Sequence, residues 1–120
     1  MLNILIVEDE ILIQKSLQFI FKKKNFNVDV SSSGQEAINK ILSKKYDRII
    51  CDLMLQDITG FDVIEESKRV LSQKEISETF IIITAYSSAQ VLDKAQAYKC
   101  PVLNKPFNNL EEILDLIEKK

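Results

Sequence analysis

The stretch that decides the fold is IICDLMLQDITG, residues 49–60. Its first three residues are apolar, and this short run ends on the carboxylate of Asp52. An apolar run of this length with polar residues on either side is typical of a strand that is buried on both faces. A side chain that follows such a strand lies at its carboxyl end, where open parallel sheets place their ligands. The stretch therefore predicts a parallel sheet with a reactive carboxylate at its edge.

The composition indicates one globular domain, residues 1–120, and excludes several kinds of site. Apolar residues make up 46% of the chain and charged residues 28%, and the net charge is −2. These values are ordinary for a domain that buries its own core. A slightly acidic chain lacks the basic patch that nucleic-acid binding needs, so we expect no direct contact with nucleic acid. The chain has no histidine, which excludes Ser-His-Asp and Cys-His catalysis and zinc sites that use imidazole.

The cysteines and the amino terminus bear on the cellular location. Two cysteines, Cys51 and Cys100, are too few for a disulfide framework, and no Cys-x-x-Cys redox motif is present. We interpret both as reduced packing residues. The amino terminus MLNILIVEDE has no basic lead and is not a signal peptide, and no apolar run is long enough to span a bilayer. We therefore expect a cytoplasmic protein that does not contact membranes.

Strands and helices alternate five times along the chain. Apolar runs predict strands at residues 2–7, 26–30, 49–52, 80–83 and 101–104, the second of them near an edge of the sheet. Helical periodicity predicts helices at residues 11–24, 35–44, 61–71 and 88–98 and a last helix capped by Asn108 or Asn109, while residues 72–78 read as a polar connector. Right-handed crossovers then give an α/β fold, a doubly wound parallel sheet with helices on both faces.

The ends of these strands bring polar side chains to one rim of the sheet. The set comprises Glu8 and Asp9 after the first strand, Asp52 after the third, Thr84 after the fourth and Lys105 after the fifth. Carboxylates in one crevice repel one another, and a cation keeps them ionised together at neutral pH. Oxygen ligands without sulfur or imidazole favour Mg²⁺, with Mn²⁺ as the alternative. The rim is therefore a predicted metal site.

Phosphoryl transfer is the chemistry that these residue types suit. With a metal bound, the Asp52 carboxylate can attack phosphorus and form an acyl phosphate. Lys105 supplies an ammonium and Thr84 a hydroxyl for the charged oxygens of the transferring group. Each residue alone has an ordinary interpretation: Asp9 or Glu10 as a helix N-cap, Thr84 as a strand-end residue and Lys105 as a solvated lysine. Their joint occurrence at the same end of alternate strands favours a shared site.

Four pieces, ILIVEDE, IICDLMLQDITGFDVI, IIITA and VLNKPF, occur in this order. Together they resemble the receiver domain of bacterial two-component response regulators, over the whole length of the chain. The resemblance implies a flavodoxin-like fold with five parallel strands in the order 2-1-3-4-5.

The resemblance also implies a role for each residue of the rim. Asp52 matches the phospho-acceptor. The implied metal ligands are three carboxylates and one backbone carbonyl, from Glu8, Asp9, Asp52 and Met54. Thr84 and Lys105 match the hydroxyl and the ammonium that act on the phosphoryl group, and Pro106 would follow a cis peptide bond.

Members of this family receive a phosphoryl group from a histidine kinase or a histidine phosphotransfer protein and hydrolyse it slowly. Thr84 would then move toward the phosphoryl group. The face formed by the fourth predicted helix, the fifth strand and the last helix would rearrange and bind a downstream protein. The resemblance thus implies a signalling module rather than a turnover enzyme, as a monomer or a phosphorylation-dependent dimer. The chain is either a complete single-domain regulator of the chemotaxis type or the receiver of a longer protein.

Three positions depart from the family pattern. Gln56 replaces a usual proline, Tyr-Lys-Cys-Pro at residues 98–101 replaces a Gly-Ala-acidic stretch, and Val102 stands where a switch aromatic is usual. The missing proline should loosen the loop, and Val102 removes the side chain of the ordinary aromatic switch. We hypothesise that Tyr86 and Met54, both bulky beside the site, limit attacking water and slow autodephosphorylation. The alternative is that Tyr86 is a plain exposed loop residue.

Three other functions have to be weighed against the receiver. A degenerate receiver, a phosphorylation-independent interaction module, usually lacks the acceptor or the lysine, and this chain keeps Asp52 and Lys105. An aspartyl-phosphate phosphatase needs a second acid two residues after the nucleophile, where this chain has Met54. A flavin or dinucleotide module needs a glycine-rich loop after the first strand, and residues 8–10 are Glu-Asp-Glu. The receiver is the interpretation that fits best.

Overall fold

A computed structural model describes residues 1–105 and 110–119. In these residues the strands are β1 (Asn3–Val7), β2 (Asn27–Ser31), β3 (Arg48–Asp52), β4 (Phe80–Thr84) and β5 (Val102–Asn104). The helices are α1 (Ile11–Lys23), α2 (Gly34–Ser43), α3 (Gly60–Ser67), α4 (Gln73–Thr79), α5 (Ala89–Tyr98) and α6 (Leu110–Glu118).

The strands form one parallel sheet in the order β2-β1-β3-β4-β5, which confirms the predicted doubly wound topology. β2 lies at one edge, as predicted from its weaker apolar pattern, and β5 lies at the other. β3 pairs with β1 on one side and with β4 on the other. Cys51 of β3 lies beside Val7 of β1, and Asp52 of β3 lies beside Ile83 of β4. The carboxyl ends of β1, β3 and β4 therefore lie side by side at one rim.

Both faces of the sheet are covered by helices. Alternate residues of β1 enter opposite cores, Ile4 and Ile6 on one face and Leu5 and Val7 on the other. The first core is completed by α1 and α6, and the second by α2, α3, α4 and the carboxyl end of α5. This double burial explains why the strands are apolar at consecutive positions rather than at alternate ones.

The prediction that residues 72–78 form a polar connector was wrong, because most of this segment lies in α4. Ser72 accepts a hydrogen bond from the Glu75 backbone N–H, and the Glu75 side chain accepts one from the Ser72 N–H. This capping box is a strong local signal for a helix start, and Ile76 supplies a fully buried contact. Helix α3 is correspondingly shorter than predicted, and Val70 beyond its end is 49% exposed.

Gly60 allows the chain to pass close to the end of β3 before it enters α3. Gly60 lies so close to the end of β3 that an added Cβ would come within 2.6 Å of the Asp52 carbonyl oxygen. Its N–H donates a hydrogen bond to the Leu53 carbonyl at 3.0 Å. The loop that follows Asp52 is therefore short and closed at its base.

Candidate functional site

Asp52 ends β3 and is 2% exposed. Its Oδ1 accepts a hydrogen bond from the Met54 backbone N–H at 3.1 Å, and its Oδ2 accepts one from Lys105 Nζ at 3.0 Å. Among residues 1–105 and 110–119, each oxygen of the predicted acceptor has one donor. A carboxylate oxygen with one donor keeps a lone pair that can reach an incoming electrophile.

Glu8 directly follows β1, contacts Lys105 together with Asp52, and is fully buried. Burial raises its pKa to about 7; the contact with Lys105 opposes this rise and Asp52 adds to it. Its Oε2 accepts a hydrogen bond from the Glu10 backbone N–H at 3.1 Å. Its Oε1 forms a salt bridge of 2.5 Å with Lys105 Nζ. The Gln14 side chain donates to the Glu8 carbonyl at 2.9 Å and so holds this strand end in place.

The Lys105 ammonium is the cation at the centre of the site. Its side chain is 7% exposed and lies 2.5 Å from Glu8, 3.0 Å from Asp52 and 3.3 Å from Glu10. Burial alone would lower the Lys105 pKa, but the contacts with Glu8 and Asp52 outweigh burial and raise it. The interpretation of Lys105 as a solvated surface lysine therefore does not hold.

The carboxylates of the site can hold a divalent cation. Ligand oxygens of Glu8, Glu10 and Asp52 all lie within 4.8 Å of one another. With one ammonium among three carboxylates, the cluster carries excess negative charge when all three are ionised. An all-oxygen set of this kind fits Mg²⁺ or Mn²⁺.

The structure brings together a slightly different set of acids from the one predicted. Glu10, predicted as a possible N-cap, occupies the N-cap position of α1. Its side chain makes no capping hydrogen bond and instead accepts one from Lys105 at 3.3 Å. Asp9 is not among the three carboxylates that cluster, and its role as a metal ligand stays a prediction. The sequence signal for Glu10 was its place as the third acid of a continuous run.

Thr84 is at the rim but its hydroxyl is engaged locally. The side chain is buried, and Oγ1 donates to the Tyr86 carbonyl and accepts from the Tyr86 N–H, both at 3.0 Å. The Tyr86 side chain is 72% exposed and that of Met54 61%. Both residues are therefore exposed at the rim, as expected if Tyr86 is a plain exposed loop residue, and the hypothesis on attacking water stays a prediction.

One departure from the family pattern, Tyr98, makes several contacts at the carboxyl end of α5. Tyr98 stacks on Phe61 with ring centroids 6.0 Å apart, and its hydroxyl donates to the Glu65 carboxylate on α3. Gln73 of α4 donates to the Tyr98 carbonyl at 2.8 Å, while Val102 is only half-buried. The carboxyl end of α5 is thus held by a buried aromatic residue at one of the positions that depart from the family pattern.

Two further predictions concern residues beside the site. Cys51 and Cys100 are both buried and free, and burial raises the pKa of each thiol, which supports their interpretation as reduced packing residues. The predicted cis bond before Pro106 and the cap at Asn108 or Asn109 lie outside the described residues. Within residues 1–105 and 110–119, every helix falls short of the length and hydrophobicity that a membrane-spanning segment requires.

Comparison with known proteins gives one consistent result. The sequence model of the response regulator receiver domain matches residues 4–118. The response regulator ArlR of Staphylococcus aureus strain Mu50 is 38% identical over 115 residues, which is 95% of this chain and 50% of that protein. The chain thus spans about half the length of this curated relative.

Solved structures agree with this result. The non-phosphorylated HemR receiver domain from Leptospira biflexa has a TM-score of 0.85 at 26% identity, covering 100% of this chain and 97% of that one. The response regulator TrrA from Thermotoga maritima, solved in complex with Mg²⁺-BeF, has a TM-score of 0.78 at 28% identity, covering 97% of this chain and 99% of that one.

Proposed function

The chain belongs to the response regulator receiver domain family, and we propose that it accepts a phosphoryl group on Asp52. The donor is the phosphohistidine of a histidine kinase or of a histidine phosphotransfer protein. The observation that carries the proposal is the arrangement at the rim: a buried Asp52 carboxylate bonded to Lys105 and set beside the Glu8 carboxylate.

The transfer is a displacement at phosphorus. An oxygen of the Asp52 carboxylate forms a bond to phosphorus, the bond from phosphorus to the donor histidine nitrogen breaks, and that nitrogen keeps the electron pair. Later hydrolysis releases inorganic phosphate and restores the carboxylate. The chain is therefore a signalling module that changes state, and it does not convert a free substrate repeatedly.

The residues that would hold Mg²⁺ or Mn²⁺ are Glu8, Asp9, Asp52 and the Met54 carbonyl, as the family resemblance implies. The position of Glu10 in the cluster adds it as a candidate. The bound cation neutralises the carboxylates and stabilises charge on the transferring group. Lys105, now held by three carboxylates, would turn its ammonium to the phosphoryl oxygens. The Mg²⁺-BeF complex of the similar TrrA protein supports this assignment.

Thr84 is the residue that would transmit phosphorylation of Asp52 to the partner-binding face. To donate to the phosphoryl group, its hydroxyl has to give up the hydrogen bond to the Tyr86 carbonyl. That exchange would displace the segment between β4 and α5, and with it the face formed by α5, β5 and α6. The downstream partner is a protein that binds this face. Exposed Leu92 and the exposed acids Glu112 and Asp115 are its candidate contacts.

Two alternatives are less well supported. A degenerate receiver would not need the Asp52–Lys105 contact of 3.0 Å, although it remains the explanation if phosphorylation fails. A phosphatase of the aspartyl-phosphate type needs a general acid two residues after the nucleophile, and that position holds the exposed side chain of Met54.

The test is the intact mass of the protein after incubation with acetyl phosphate and Mg²⁺. We expect one added phosphoryl group that requires the metal and is absent from the Asp52→Asn variant. Asp47→Asn is the matched control, because Asp47 directly precedes β3, at the end opposite to Asp52. An unmodified wild-type mass in a protein with an intact fold would refute acceptance from a small-molecule donor. The same assay with a phosphorylated histidine kinase would then decide between a strict protein donor and a degenerate receiver.

A further inference from the structure

The loop after Asp52 is anchored at its tip to a different part of the chain. The base of the loop is closed by an antiparallel bridge between Met54 and Thr59 and by the bond from Gly60 to Leu53. At the tip, Asp57 Oδ1 accepts a hydrogen bond from the Gly34 N–H and Oδ2 accepts one from the Gln35 N–H, both at 2.9 Å. Gly34 and Gln35 begin α2. They precede Asp57 by more than twenty residues in the sequence.

Asp57 supplies hydrogen-bond acceptors for two backbone N–H groups at the start of α2. The first N–H groups of a helix have no partner within the helix. The N-cap Ser33 side chain accepts a hydrogen bond from the N–H of Glu36, the third residue of α2, while the N–H groups of the first two residues donate to Asp57. A carboxylate at this position also interacts favourably with the helix dipole. These two hydrogen bonds are the largest causes of the lowered pKa of Asp57.

A second contact fixes the same loop against the same helix. A Cβ added to Gly34 would come within 2.3 Å of Ile58 Cγ1, so the Ile58 side chain lies directly on the Gly34 backbone. The loop tip is thus held by a polar clamp at Asp57 and by an apolar contact at Ile58. Residue 56 is glutamine. The loop therefore lacks, at this position, a proline that would restrict its backbone.

We propose that Asp57 is a positioning residue for the phosphoryl-transfer site. It touches none of the reacting groups and acts through the loop: by holding the tip on α2, it keeps the Met54 backbone at Asp52. The Met54 N–H already donates to Asp52 Oδ1 at 3.1 Å, and the Met54 carbonyl is a proposed metal ligand. This inference rests on the proposed function of the site. It adds that the start of α2 contributes to metal affinity through Asp57.

The test compares Mg²⁺ affinity by calorimetry in the wild type, Asp57→Asn and Asp57→Ala. Changes just outside the ligands of a metal typically weaken binding 10–100-fold. We expect Asp57→Ala to raise the Mg²⁺ Kd about tenfold, at the low end of that range, because the loop keeps its Ile58 contact. Asp57→Asn should fall in between, since its amide keeps one oxygen acceptor and loses the charge. Because Asn is a mild change, a general loss of folding cannot conceal the result.

A readout without metal separates positioning from simple stabilisation. In the metal-free variants, amide hydrogen exchange at Met54 should accelerate together with exchange at Gly34 and Gln35. The matched control is Ser72→Ala, which removes a helix cap from α4 at the other end of the sheet. It should lower stability but leave Met54 exchange and the Mg²⁺ Kd within about twofold of wild type, because it leaves the metal site unchanged.

The outcomes are distinct. A Mg²⁺ Kd in Asp57→Ala within twofold of wild type would overturn the inference while the proposed function stands. An equal loss of affinity in Ser72→Ala would also overturn it, because the effect would then come from general destabilisation. Failure of the wild type to bind Mg²⁺ would overturn the proposed function and this inference together.

Discussion

Replacing Glu8 with glutamine should stabilise the metal-free protein at alkaline pH. Burial raises the Glu8 pKa from an ordinary value of 4.5 to about 7, so the folded protein binds a proton more tightly than the unfolded chain. Stability therefore falls as pH rises from the unfolded pKa through the folded pKa. Integrating the linkage relation from pH 5 to pH 8.5 gives a loss of roughly 2.5 kcal/mol from Glu8 alone. The glutamine variant has the same shape but no charge to form, so it should not show this loss.

The assay is urea unfolding with a chelator present, at pH 5 and at pH 8.5. Wild type and Glu8→Gln should be similar at the lower pH. At the higher pH the variant should be more stable by roughly 2.5 kcal/mol, which corresponds to a difference of about 10 °C in Tm for a chain of this size. Glu78→Gln makes the same chemical change at an exposed position and should leave the pH profile unaltered.

Two results would refute the reasoning. If the profiles of wild type and Glu8→Gln run parallel between pH 5 and pH 8.5, burial does not raise the pKa of Glu8. If wild type gains stability relative to the variant as pH rises, the ion pair with Lys105 outweighs burial. Added Mg²⁺ should recover stability in the wild type at pH 8.5 by binding the folded state, and the effect should be smaller in the variant.

Three further substitutions test particular contacts. Tyr98→Phe removes the hydroxyl that donates to Glu65 and should lower the free energy of unfolding by about 1 kcal/mol in urea titrations; no change would show that the bond contributes nothing. Tyr86→Ala should speed loss of the phosphoryl group from the acceptor, measured by intact mass over time, because water gains access; an unaltered rate would rule out the screening hypothesis. Gly34→Ala should destabilise by about 1–3 kcal/mol through overpacking, since its Cβ would lie 2.3 Å from Ile58 Cγ1. Adding Ile58→Ala should restore part of that loss, and strict additivity of the two changes would count against direct contact.

The contacts of Tyr98 bear on how a receiver without the usual aromatic at residue 102 could change state. Tyr98 joins α5 to α3 through its stack on Phe61 and its bond to Glu65. Phe61 follows Gly60, which lies against the Asp52 carbonyl. A short chain of contacts therefore connects the loop after Asp52 with the end of α5.

Much of the fold could be predicted because its signals are local. Most strands are short apolar runs with a polar residue at the end, and this pattern was sufficient to predict five strands in a parallel sheet. The strand order was predicted from the family resemblance, and the structure confirms it. The one helix that was missed, α4, carries an equally local signal in the capping box of Ser72 and Glu75. Hydrophobic periodicity does not reveal this helix, because Ile76 is the only apolar residue among Gln73–Thr79.

The sequence by itself determined the sheet, the rim at which the acids meet, and the identity of Asp52 and Lys105 as the central pair. These follow from chain direction, because residues that end parallel strands must lie at one edge. Only the tertiary structure decided that Glu10 rather than Asp9 joins the carboxylate cluster. It alone also showed that Asp57 clamps α2 and that Tyr98 reaches Glu65. These contacts depend on side-chain directions and on helix placements a few ångströms apart, which hydrophobic periodicity does not specify.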